Sequence, residues 1–375
     1  MGKRFIITFP SSLSAPGGGT VGCLEIASHL EKLGIEIILM PVDETAARQL
    51  VPGSRTINSP PSRIHYLLNG TGVAVRVNRL LSKFRVDAVL GWSHEAAFLP
   101  AVTRFHRVPL AIFAAHPSYR RQLERRTSLR FLKRRTDEWF CWRPLKAADM
   151  VFALSEYTRD ELRSLFSLQR VTVAYWGVDP AFTRVCRRRP DGPPRLLFFG
   201  SLAPLKGVSD AIRALGSVRA RGRNGWIFRI AGWGDEAAVR AACEAESIAE
   251  QCEFLGKLDR DGLVRELEGA ELAVLPSHSE SFGLAIAEAQ GAGVPVVSYR
   301  TGAVPEVVED GTTGWLAPAG DTGLLAESIG RVLENPALAW QSGQAAQERI
   351  RSRFTWDATA RKIADTLESA RQVSR

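Results

Sequence analysis

Short apolar runs recur along the chain, separated by longer stretches that alternate apolar and polar residues with helical spacing. The runs include Arg4–Phe9, Ile35–Met40, Val86–Leu90, Val108–Ala114, Arg195–Phe199, Trp226–Ala231, Leu272–Leu275 and Val294–Val297. Near-continuous apolar runs of this length predict parallel strands buried on both faces. Between them, Val21–Leu33 reads as an amphipathic helix stopped by Gly34. A second helix is predicted from about Val208, and a third from Phe282 to about Gly291, with Leu284, Ile286, Ala287 and Ala289 apolar. The last predicted helix runs to about Ser369. Strands alternating with helices predict an α/β fold built from βαβ units. The charged, proline-rich stretch Arg184–Pro194 (RVCRRRPDGPP) reads as a linker between two such domains.

A chain of 375 residues, 45% hydrophobic, has the length for two domains with a full core each. No apolar run approaches the length of a membrane span. The opening MGKRFIITFP reads as a first strand, its apolar part being too short for a signal peptide. Cys23, Cys141, Cys186, Cys243 and Cys252 are scattered, with no CxxC and no Cys/His cluster. That predicts a reducing compartment, the cytoplasm, and no structural metal. Residues 1–190 hold 29 Lys+Arg against 15 Asp+Glu, and residues 191–375 hold 20 against 25. The net charge of +9 is therefore +14 in the first half and −5 in the second. An anionic surface or acceptor is expected to meet the first half.

The candidate chemistry concentrates in Leu272–Asp321, LAVLPSHSESFGLAIAEAQGAGVPVVSYRTGAVPEVVEDGTTGWLAPAGD. A strand closed by Pro276 leads into the polar loop Ser277–Ser281, then a helix, then the next strand. Such a loop lies at the carboxyl end of a parallel strand, where open α/β sheets bind ligands. Glu280 sits in the loop and Glu288 on the helix, spaced for two contacts along one extended ligand rather than for a shared proton. Phe282, Gly283 and Leu284 are expected to offer backbone N–H groups at the helix start, a place for an anion or sugar hydroxyls. The plainer alternative is that Glu280 is a first-turn acid and Glu288 a solvated helix residue.

The stretch resembles the donor-site signature of the family 4 retaining glycosyltransferases, which have the GT-B fold. The matching residues are Pro276, Ser277, Glu280, Phe282, Gly283, Glu288 and Ala289; then Gly293, Pro295, Val296 and Val297; then Gly302, Glu306, Val307 and Val308; then Asp310, Gly311 and Gly314. The resemblance implies two facing Rossmann-like domains: residues 1–188 on the acceptor side, 189–350 holding the donor, and 351–375 crossing back as a helix onto the first. It implies that Glu280 lies at the donor sugar and phosphates and that Glu288 holds the ribose hydroxyls. Gly200–Gly207 (GSLAPLKG) resembles the family's phosphate-binding loop, with Lys206 and Gly207 matching and Ser201 standing where that loop carries arginine. Gly234 resembles the family's G-x-G turn, and Lys257 with Leu258 the segment edging the nucleotide base. Asp259-Arg260-Asp261 fits D-x-D but heads a helix, so these acids are expected to cap it rather than to bind a metal. No cofactor is expected.

In the first half, SSLSAPGGGT follows the first strand, and Gly18 and Gly19 resemble the family's loop against the donor diphosphate. Gly17, Gly19 and Gly22, with Asp43, also fit a dinucleotide fingerprint, but seven residues separate the strand from Gly17, whereas the Rossmann turn is tight. His116 ends a strand as the family's active-site histidine does, which implies a hydrogen bond to donor or acceptor. His94 is a weaker candidate, and His29, His65 and His106 read as structural. Arg120–Lys146 carries ten basic residues against three acids, with tryptophans interleaved. This reads as a contact for an anionic membrane surface, or as a solvated helix; no nucleic-acid recognition fold accompanies it. Segments around Ala148–Glu156 and Val171–Asp179 resemble the end of the family's first domain, with Trp176 in place of the usual asparagine.

The expected activity is transfer of a sugar from a nucleotide-diphosphate sugar to a glycan or lipid-linked acceptor, with retention and without metal, in cell-envelope or exopolysaccharide synthesis. The catalytic residues would be His116, Lys206 and Glu280. Two alternatives stand beside it: a non-catalytic sugar-nucleotide-binding paralogue, motivated by Ser201 and Trp176, and a hydride-transfer enzyme using the glycine fingerprint.

Overall fold

A computed structural model describes residues 4–8, 18–40, 55–56, 66–92, 96–114, 142–188 and 192–373. The chain divides into two compact units: residues 1–177 with 356–375, and residues 178–355.

In the first unit, β1 (Arg4–Thr8), α1 (Gly18–Lys32), β2 (Glu36–Met40), β3 (Arg55–Thr56), α2 (Tyr66–Lys83), β4 (Ala88–Trp92), α3 (Leu99–His106), β5 (Leu110–Ala114), α4 (Arg143–Ala147), β6 (Met150–Ala153), α5 (Glu156–Phe166) and β7 (Val171–Val173) follow in order. The sheet is parallel, with strand order β3-β2-β1-β4-β5-β6-β7. Every residue of β4, β5 and β6 is buried, as the apolar runs require of strands covered on both faces. The order reverses between β1 and β4, which is the topological switch point of a doubly wound sheet.

The second unit holds α6 (Pro180–Thr183), β8 (Arg195–Ser201), α7 (Val208–Ala220), β9 (Ile227–Trp233), α8 (Glu236–Ala245), β10 (Cys252–Gly256), α9 (Arg260–Glu268), β11 (Leu272–Val274), α10 (Leu284–Gly291), β12 (Val296–Tyr299), α11 (Val304–Val307), β13 (Gly314–Ala317), α12 (Thr322–Glu334) and α13 (Pro336–Arg353). Its parallel sheet runs β10-β9-β8-β11-β12-β13, the same winding, with the reversal between β8 and β11. Each domain is therefore Rossmann-like. Asp259, expected to cap a helix, does so, and Asp235, Asp321 and Asn335 likewise each accept an N–H from the first turn they precede.

The chain then returns to the first unit through α14 (Trp356–Val373). Trp356 faces Trp176 at 6.2 Å, and Thr359 donates to the Tyr175 carbonyl at 2.6 Å. No helix among the described residues is long and apolar enough to cross a membrane.

Three expectations need correction. The units divide at Gly177/Val178 and Thr355/Trp356, not at 188/189 and 350/351. The reason is that the supposed linker is built into the second unit. Val178 donates to Phe354 O at 2.9 Å, and the largely buried Arg187 donates to Gly293 O at 2.7 Å and stacks over Trp340. Helix α1 begins at Gly18 rather than near Val21, so Gly18 and Gly19 are its first residues and not a loop. Strand β3 and helix α2 add to the elements predicted from the apolar runs. At the end of the basic segment, Trp142 is buried against Phe166 and is unavailable to a membrane surface.

Candidate active site

The loops after β8 and β11 leave the second sheet at its switch point, and they lock together. After β8 the chain makes a 3₁₀ turn, Pro204–Lys206, and Gly207 then adopts φ +75 to start α7. Only glycine fits there: an added Cβ would lie 2.0 Å from Pro276 O. In the loop after β11, the His278 N–H donates to Leu205 O at 2.9 Å. On the other side, Thr301 Oγ1 donates to Ser277 O at 2.7 Å and the Ala303 N–H to Glu280 O at 3.0 Å. Gly302 lets that turn approach, since a Cβ would meet Glu280 O at 2.1 Å. The backbone of 276–280 is thus held from both flanks.

These constraints bring Lys206 and Glu280 together. Lys206 Nζ donates to Glu280 Oε1 at 2.6 Å; the glutamate side chain is largely covered and the lysine about one-third exposed. An ammonium has three donors and this bond uses one, so the lysine can still meet an anion. Gly283, at φ +90, sits at the start of α10, which has no side-chain cap. The N-terminal N–H groups of an uncapped helix favour an anion or hydroxyl oxygens. The Phe282 ring does not line this site. It is buried against Phe354 at 5.5 Å, so only its backbone can contribute.

Glu288 is partly exposed on α10. Burial of its carboxyl, helped by the nearby Asp179 charge, pushes its pKa up to about 8. Asp179 caps α6 through the Ala181 N–H at 2.8 Å and holds Arg260, the first residue of α9, at 2.9 Å. Gly234, at φ +141, packs on Leu202 at the end of β9. Lys257 and Leu258 follow Gly256, the last residue of β10, and Lys257 Nζ lies 5.9 Å from the centre of the Trp233 ring. Ser201 accepts the Ala203 N–H at 3.3 Å, so its hydroxyl shapes the loop and brings no charge to it.

The sequence reading missed a buried polar cluster beneath this site. Asp210, in the first turn of α7, receives Tyr299 Oη and His278 Nε2 on one oxygen, each at 2.8 Å, and is paired with Arg213. Burial, followed by the bond to Asp210, pushes the Tyr299 phenol's pKa up. The cluster ties α7, the 277–280 loop and β12 together. The one visible signal was Tyr299, two residues after the apolar run Val294–Val297, where a buried hydroxyl needs a partner.

Other candidates fall elsewhere. His116, His94, Gly17, Asp43 and most of 120–146 lie outside the described residues. Gly22 has a packing role: a Cβ there would press within 2.7 Å of the buried Trp176 ring. That accounts for the third glycine of the apparent fingerprint and makes Trp176 a core residue. Asp259 accepts from the Gly262 N–H at 2.7 Å as the cap of α9.

Two family models match consecutive parts of the chain, Glycosyltransferase Family 4 over residues 16–182 and Glycosyl transferases group 1 over residues 182–349. The glycogen synthase of Mycobacterium tuberculosis is 35% identical over 235 residues, covering 62% of this chain and 56% of that enzyme. The chain thus spans little more than half the length of the curated relatives it matches. Among solved structures, sucrose-phosphate synthase from Thermosynechococcus elongatus superposes with a TM-score of 0.80 at 19% identity, over 99% of this chain and 100% of that one. HepE of Anabaena, in complex with UDP and glucose, superposes with a TM-score of 0.77 at 18% identity, over 98% and 100%. The two matched models together span residues 16–349, and the doubly wound sheets agree with them: this chain belongs to the glycosyltransferases, its first part matching the Family 4 model and its second the group 1 model.

Proposed function

We propose that the protein transfers a sugar from a nucleotide-diphosphate donor to a glycan or lipid-linked acceptor, with retention of anomeric configuration. The observation that carries this is the Lys206–Glu280 pair at 2.6 Å beside the uncapped start of α10, at a sheet switch point. A diphosphate placed between the ammonium and the helix N–H groups would be neutralised by them as it departs. Glu280 would accept sugar hydroxyls, and Glu288 the ribose hydroxyls. The departing phosphate oxygen breaks its bond to the anomeric carbon and takes the acceptor's proton, while the acceptor oxygen bonds the same face. No step in this scheme needs a metal or a carboxylate nucleophile. The glycogen synthase relative and the UDP-bound neighbour support a nucleotide donor. By the family resemblance, Gly18 and Gly19 would contact the donor diphosphate, and His116 the sugar or acceptor. The enzyme would act in the cytoplasm in cell-envelope or exopolysaccharide synthesis, with residues 120–141 on the inner membrane face.

A thermal-shift screen of UDP, GDP, ADP, TDP and their sugar conjugates tests the donor site. At 100 times its dissociation constant a ligand stabilises by about 2.7 kcal/mol. One nucleotide should raise the melting temperature, and Glu288→Ala should abolish the shift; no shift with any nucleotide would overturn the reading. Ser201, locally bonded and uncharged where the family carries arginine, favours a second reading, a non-catalytic sugar-nucleotide-binding paralogue. Donor hydrolysis separates the two: slow release of free sugar supports the enzyme, and binding with neither hydrolysis nor transfer supports the paralogue. Replacing Arg125, Arg126, Arg134 and Arg135 by Gln should weaken binding to anionic vesicles; unchanged binding would sink the membrane contact.

A further inference from the structure

Trp92, Trp142, Trp176, Trp226, Trp315 and Trp356 are buried, whereas Trp233, the last residue of β9, is 47% exposed. Its place is fixed by backbone on every side. It pairs with Ser201 across β8 and β9, and its carbonyl accepts the Leu202 N–H at 2.9 Å. Gly232 before it lies against Gly200 O, where a Cβ would come within 2.1 Å, and Gly234 after it has φ +141. A well-anchored backbone therefore holds an indole in solvent, at an exposure cost that core packing does not explain. Lys257, from the end of β10, extends to within 5.9 Å of the ring centre.

The site's own geometry points a ligand toward this ring. Lys206 and Glu280 mark one end, at β8 and β11. Glu288 lies near Asp179, which holds Arg260 at 2.9 Å, directly after β10. Arg260 opens the helix that follows β10, so this end of the site borders the strand ends of β9 and β10. A nucleoside diphosphate with its phosphates at Lys206 and its ribose at Glu288 would end, at its base, beside the strand ends that carry Trp233 and Lys257.

We propose that Trp233 is the stacking platform for the donor's nucleobase, with the Lys257 ammonium set against acceptor atoms on the base edge. This rests on the nucleotide-sugar reading of the site and adds the residue that determines how well the base is held. Stacking on an aromatic ring tolerates any base; the ammonium would favour bases with a carbonyl edge, uracil or guanine, over adenine.

The test is titration of UDP, GDP, ADP and inorganic pyrophosphate into the full chain, as wild type, Trp233→Ala and Trp233→Phe. The expected result for Trp233→Ala is a loss of about tenfold or more in nucleoside diphosphate affinity. Pyrophosphate affinity and the ligand-free melting temperature should stay unchanged, and Trp233→Phe should restore most of the nucleotide affinity. Equal nucleotide affinity in wild type and Trp233→Ala would overturn the inference while leaving the donor site standing. An equal loss for nucleotides and pyrophosphate would also overturn it, by showing a disturbed site rather than a lost platform. A wild-type chain that binds none of the nucleoside diphosphates would overturn the donor reading and this inference together.

Discussion

The two sheets are wound in the same order, yet their strand ends carry opposite chemistry. In the first, Trp92, Phe113 and Phe152 stand in register at the carboxyl ends of β4, β5 and β6, with ring centres 4.2 and 5.2 Å apart, all buried. In the second, the corresponding edge carries Lys206, Glu280, His278 and, beneath them, Asp210. Among the described residues, the same topology carries a buried aromatic row in one unit and a partly open polar site in the other. Winding order says where a ligand can bind; side-chain chemistry says whether it does.

The comparison can be broken from its strongest side first. Phe113→Ala should cost about 3–5 kcal/mol of stability, because a fully buried ring in a packed row leaves a cavity. Denaturant melts measure this, and a loss under about 1 kcal/mol would mean that the row is not a core. Lys206→Ala should do the reverse. Transfer or donor hydrolysis should fall by about 10²–10³, as expected when one charge-stabilising group is removed. Its partly exposed ion pair should contribute only about 0.2–1 kcal/mol to stability. A large stability loss with activity retained would make Lys206 structural.

Tyr299→Phe is intermediate. It removes one donor to the buried Asp210 carboxylate, and it should cost about 1–3 kcal/mol in the same melts. No loss would show that His278 and Arg213 satisfy Asp210 alone. A further test is the pH dependence set by Glu288. Its carboxyl in the folded chain titrates near 8, above its value of 4.5 when unfolded, so the folded state binds the extra proton. The stability this adds is complete below about pH 4.5 and is lost as pH rises through about 8. Glu288→Gln should flatten that part of the slope; an unchanged slope between pH 5 and 8.5 would remove Glu288 as its source.

Much of this organisation was legible in the sequence. Buried parallel strands announce themselves as apolar runs, and the positions of Pro276, Gly283 and Asp259 marked a strand end, a helix start and a cap. The ends of elements were less legible because caps and glycines compete. Gly18 and Gly19 carry no side-chain signal for or against a helix, and α1 begins on them. The linker misreading has a different cause. RVCRRRPDGPP has the composition of a connector, but Arg187 finds carbonyl partners more than 80 residues away in sequence, a long-range fact that no local pattern encodes. The pairing of Lys206 with Glu280, separated by 74 residues, could be drawn only from family resemblance until the two loops were seen locked together. Asp210 and His278 were invisible because each is unremarkable alone.

The return of α14 to the first unit also carries a consequence for the order of synthesis. Residues 178–355 form one uninterrupted segment, so that unit is complete once residue 355 has left the ribosome. The unit begun first must wait, because Tyr175 and Trp176 receive Thr359 and Trp356 only from residues made after 355. A nascent chain halted near residue 355 would therefore hold a finished second unit tethered behind an unfinished older one. Its exposed α1 and Trp176 surface would be the part that a chaperone recognises.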